Sequence, residues 1–215
     1  MWDGRVPLLP IAPPRDAASL LGRSAAVAAT SAVLGGLTSF GQTVLPDAVS
    51  SFANSASGWT LLTVLVVAAA RVGTAASGVL GATSFLAIVL GYQTTSVLRG
   101  FQDSEELFLV VAVVVGPFVG IAAAWLRRRG VHAALAVALL AGIALGEAAY
   151  GLTVVAASTS PVYWVLIGGA GIVLLLVVCV GRLDSVAHRA LAAGLAFVTA
   201  VAFLGAYGGV GLIAI

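Results

Sequence analysis

The chain has 215 residues, of which 61% are hydrophobic and 8% charged, and its formal net charge is +2. Soluble domains average roughly 25% charged residues, and no water-facing fold of this length could bury so much apolar surface, so the solvent has to be lipid. The basic residues are all arginines scattered between apolar runs, which excludes a nucleic-acid stripe, and the absence of lysine excludes a retinal Schiff base.

In chain order, residues 1–23 read as a cytoplasmic arm. Pro7, Pro10, Pro13 and Pro14 interrupt its apolar residues, so no secretory leader is expected there, although residues 17–21 suit a short interfacial helix. Residues 24–215 read as a single transmembrane domain. Its expected spans are 24–44, 59–70, 72–98, 106–126, 131–154, 161–180 and 187–207, most of them near the ~20 residues that a bilayer core requires. The predicted fold is therefore all-α, a polytopic membrane bundle of about seven helices.

The arginines orient this bundle. Arg5, Arg15, Arg23, Arg71, Arg127, Arg128, Arg129, Arg182 and Arg189 fall in alternate gaps, and Arg99 falls in the other set. Positive residues collect on the cytoplasmic side of short loops, which puts the N-terminus in and the C-terminus out. Trp59, Tyr163 and Trp164 are expected at the outer interface and Trp125 at the inner one, as an aromatic belt.

The second span is short, with an apolar run of only 59–70. Pro46 and Asp47 suit a helix start, and two readings follow. Residues 48–53 form a half-helix that breaks near 54–58 and lines a cavity, or they cap an extracellular loop as a short surface helix. Further along, Gly116-Pro117 predicts a kink in the fourth span. Gly116 and Gly120, Gly142 and Gly146, and Gly205 and Gly209 have the four-residue spacing of close helix contacts. Ala25 and Ala29 could dock another membrane helix or pack internally.

Polar residues are costly in apolar spans, so their positions carry information. Thr38, Ser39 and Gln42 end the first span, Asn54 lies in the next connection, and Tyr92 and Gln93 lie near the end of the third. Glu147 is the one charged side chain well inside a span, on the order of 10 Å below its outer end, with Tyr150 one turn on. These eight residues are the candidate ligand-binding set, in an outer polar layer. For Glu147 two roles compete: a carboxylate that contacts ligand or accepts a proton, and one tied to Gln42, Gln93 or Arg99 to lock the helices.

No catalytic set emerges, so the chain is not expected to be an enzyme. His132 and His188 lie at the cytoplasmic boundary without the spaced partners of a metal site, and Cys179 stands alone as a small hydrophobe. No metal or other cofactor is expected. The strings GGLTSFGQ (35–42), FANSASGW (52–59), LGY (90–92) and GEAAYGLTVV (146–155) carry a resemblance to an uncharacterised family of actinobacterial integral membrane proteins, a domain of unknown function. That resemblance implies a multi-pass protein of the plasma membrane and transfers no site residues. A weaker likeness is to the substrate-capturing subunits of energy-coupling-factor vitamin transporters, which usually have six spans. The expected function is small-solute transport or binding from the outer side; the alternative is an accessory or scaffold subunit. Expected partners are the bilayer, a small molecule, and another membrane protein or a second copy, with no nucleic acid.

Overall fold

A computed structural model describes residues 15–101 and 106–213 of the chain. Its helices are α1 (Arg15–Val44), α2 (Asp47–Ser50) with a 3-10 turn (Ser51–Asn54), α3 (Ala56–Ala70), α4 (Thr74–Leu98), α5 (Glu106–Val114), α6 (Gly116–Trp125), α7 (Val131–Thr153), α8 (Pro161–Arg182) and α9 (Val186–Ile213). Five helices are long and apolar enough to cross a membrane, and counting each of two bent pairs as one span raises the number to seven. The protein is an all-helical, multi-pass membrane bundle.

Residues 17–21 are not a separate surface helix, because α1 runs unbroken from Arg15. Residues 1–14 of the expected arm lie outside the described residues. The fourth span is bent by 48° between α5 and α6. Pro117 stands in the first turn of α6, where its missing N–H and ring forbid a continuous helix. The second span is broken more sharply. The Asp47–Asn54 segment and α3 meet at 64°, as in a broken span or a re-entrant loop.

Small residues set the packing. A methyl group on Gly35 would collide with the Ile88 carbonyl, and one on Gly91 with the Ala32 carbonyl, so α1 and α4 touch backbone to backbone. Gly120 meets the Ser77 carbonyl and Gly81 the Gly116 carbonyl, which joins α4 to α6 in the same way. Gly142 and Gly146 lie against Thr199, Ala200 and Phe203 of α9. With lipid as solvent, such close approach replaces the hydrophobic effect as the source of helix association. Gly205 faces open space, and the surroundings of Gly209 lie outside the described residues. Ala25 and Ala29 are exposed, so they take no part in internal packing.

The helix α7 is the centre of the bundle. Of its membrane-length window 72% is buried, against 17% for α8 and 11% for α9. The aromatic belt is not where it was expected. Trp59 is fully buried beside Tyr92 and Phe108, and Tyr163 and Trp164 are each 5% exposed. These rings face protein: Trp59 packs among side chains of α4 and α5, and the Trp164 ring lies against Gly151 of α7.

Candidate functional site

The sharpest polar arrangement sits where α3 begins. Ser55 has an extended backbone (φ −142°, ψ 147°) and accepts a hydrogen bond from the Gly58 N–H through its hydroxyl at 2.9 Å, which makes it the N-cap. The next two amides point at α7. The Ala56 N–H donates to Glu147 Oε1 at 2.7 Å and the Ser57 N–H donates to Oε2 at 2.6 Å. Glu147 is 4% exposed. Its two oxygens therefore satisfy two of the amides that a helix start leaves without an intrahelical partner, and its negative charge stands at the positive end of the α3 dipole.

This explains why a carboxylate lies so deep. At about 1.5 Å per residue, the 15 residues of α3 span only about 22 Å, less than a bilayer core of about 30 Å. Starting from the arginine-rich end, α3 stops short inside the protein, and Glu147 meets it at that depth. Tyr163 of α8 braces the same corner, its hydroxyl 2.6 Å from Ser55 Oγ. The other end of α3 is matched in charge. Arg71 closes it in the left-handed conformation (φ 50°), Arg23 Nη1 donates to the Ala70 carbonyl at 3.3 Å, and Arg127 Nη1 donates to the Ala68 carbonyl at 3.2 Å. Cations at a helix C-terminus stabilise its exposed carbonyls and its dipole.

A second polar group runs up the α1–α4 seam. Ser31 and Ser84 pair at 2.8 Å, and Ser39 and Ser96 pair at 2.9 Å. Arg99 Nη1 donates to the Ser39 carbonyl and hydroxyl, and its Nη2 donates to Thr43 Oγ1 at 2.7 Å. The same guanidinium lies 4.4 Å from the Phe40 ring centre. Arg99 thus ties the arginine-poor ends of α1 and α4 together. The Tyr92 hydroxyl donates to Gln42 Oε1 at 3.0 Å.

Between these groups, at the arginine-poor end, lies a cleft of about 260 Å³ lined by Gln42, Ser50, Ser51, Asn54, Thr159 and Trp164. Trp164 Nε1 donates to Thr159 Oγ1 at 2.9 Å and so fixes one wall. The floor is the end of the 3-10 turn, one residue before the Ser55 cap.

The eight expected residues therefore do not form one site. Gln42 and Asn54 line the cleft. Thr38 bonds back to the Gly35 carbonyl at 2.7 Å, and Ser39 belongs to the Arg99 cluster. Tyr92 is buried against Trp59, and Gln93 is half-buried on α4. The Tyr150 ring packs on Tyr207 at 5.6 Å, and its hydroxyl makes no hydrogen bond to Glu147. The hydrogen bonds of Glu147 go to α3 main chain, and not to Gln42, Gln93 or Arg99. Ser55, Ser57 and Tyr163 stand outside the eight candidate ligand-binding residues, although Tyr163 is among those expected at the outer interface. A serine three residues before Gly58 and just ahead of an apolar run is an N-cap signal that could have identified the first.

No curated protein and no solved structure matches the chain. One family model does match, over residues 14–212, which is nearly the whole length. The chain therefore belongs to that family, described as a family of unknown function (DUF6518).

Proposed function

We propose that this protein captures a small, uncharged, hydrogen-bonding solute from the outer side of an actinobacterial plasma membrane, either for transport or as the membrane-embedded binding subunit of a transporter. The observation that carries the reading is the cleft over the broken helix. It offers an amide pair (Gln42, Asn54), three hydroxyls (Ser50, Ser51, Thr159) and the Trp164 indole, with no charged side chain in its lining. At about 260 Å³ it is below the roughly 300–1,000 Å³ of pockets for drug-sized ligands, which limits the occupant to a small molecule. Broken helices beside such clefts are a recurrent device of transporters. The likeness to vitamin-capturing subunits points the same way, although seven spans exceed their usual six. Glu147 lies one layer below the cleft and acts on it through the Ser55 corner.

The test is a thermal-shift and tryptophan-emission screen of the purified full chain against small polyols and amides at millimolar concentration. The expected result is a hit whose emission change disappears in Trp164→Phe and whose thermal shift disappears in Asn54→Leu. If no compound in the panel changes either readout, the binding reading is wrong. The alternative, an accessory subunit, draws on the outward-facing Ala25 and Ala29 of α1, where another membrane helix could approach closely. A stoichiometric membrane protein co-purifying in mild detergent, and lost in Ala29→Leu, would favour it.

A further inference from the structure

At the opposite end of the bundle from the cleft, a groove of about 590 Å³ runs between α1 and α3. Apart from Thr30 its walls are apolar, with Ala26 and Val27 on one side and Leu65 and Ala69 on the other, and Arg23 and Arg71 line its end. Val27 is buried and forms the floor, whereas Ala26, Leu65 and Ala69 are exposed along the rims. Both arginines are exposed, and neither has a carboxylate partner among the described residues. Arg23 is anchored by its Nη1 bonds to the carbonyls of Ala70 and Arg71, at 3.3 and 3.5 Å, which holds its guanidinium over the groove's end.

We propose that this groove is a binding site for one anionic glycerophospholipid of the arginine-side leaflet. The charge pattern selects the occupant. Two guanidiniums without acidic partners among the described residues, at the end of an apolar trough, match a phosphate that carries hydrocarbon chains, since arginine forms paired hydrogen bonds to phosphate oxygens. A free phosphate would leave the trough empty, and a zwitterionic headgroup would bring its own cation towards the arginines. The groove's small side chains, Ala26 and Ala69, leave width for an acyl chain where larger residues would fill it. The lipid would thereby complete the packing of α1 against α3 on the arginine-rich side.

The experiment uses the full chain, purified in mild detergent and stripped of lipid, then supplied with phosphatidylglycerol, phosphatidylcholine of the same acyl chains, or inorganic phosphate. Native mass spectrometry counts retained lipid, and the melting temperature reports stabilisation. One retained phosphatidylglycerol and a raised melting temperature are expected, with neither effect from phosphatidylcholine or phosphate. Each arginine near an anionic surface shifts binding about fivefold, so Arg23→Gln with Arg71→Gln should weaken retention about thirtyfold. Because Arg23 also holds the end of α3, Ala26→Phe is the second variant: it fills the trough, keeps both arginines, and should likewise weaken retention. Equal retention of both lipids, stabilisation by phosphate alone, or undiminished phosphatidylglycerol binding in Ala26→Phe would overturn the assignment.

Discussion

At the scale of single residues, Glu147 sets the terms. A carboxylate taken from water into a bundle interior needs partners, and it finds them in two main-chain amides at 2.7 and 2.6 Å. Glutamine has nearly the same shape, but one of its two terminal atoms is an NH₂ that would face an amide N–H as donor against donor. Glu147→Gln should therefore lose one charge-assisted bond and leave one buried amide without an acceptor, at a cost of about 2 kcal/mol. A clear fall in melting temperature in detergent is the expected outcome, and an unchanged one would remove the capping role. The importance of this residue was legible in the sequence, from its isolation and depth. Its partners were not. Backbone N–H groups are carried by every residue but proline, so no letter in the sequence marks Ala56 and Ser57 as donors.

At the scale of elements, the spans were legible because apolar length and intervening polar residues are one-dimensional properties. The fifth span was expected at 131–154 and α7 is Val131–Thr153; the Pro117 bend was equally readable, since proline breaks a helix wherever it lies. Which glycines matter was not legible, because spacing alone says nothing about what stands opposite. Gly120 and Gly205 both sit in four-residue pairs, yet a side chain on the first meets the Ser77 carbonyl and one on the second meets nothing. Gly120→Leu should separate α4 from α6 and abolish the monodisperse folded protein, whereas Gly205→Leu should change stability by no more than the ~0.5 kcal/mol of an ordinary surface substitution. Size-exclusion profiles of the two variants in one detergent check this directly. The aromatic belt failed for a related reason: tryptophan is favoured both at an interface and in a core gap, and only the break before α3 shows which applies to Trp59.

At the scale of the whole molecule, the nine-to-one arginine split predicts termini on opposite sides of the membrane if both bent pairs cross and the spans number seven. A reporter active only in the cytoplasm should work fused at the N-terminus and fail at the C-terminus. Activity at both ends would mean that the broken second span turns back without crossing. That same broken span bears on how the chain is made. Glu147 follows Ala56 by 91 residues, so at the moment α3 leaves the ribosome the group that caps it has not been synthesised. The first half of the protein is thus chemically incomplete while it waits: its amides need water or an insertion machine until the fifth span arrives. The α3–α7 latch can therefore close only after the fifth span has been made.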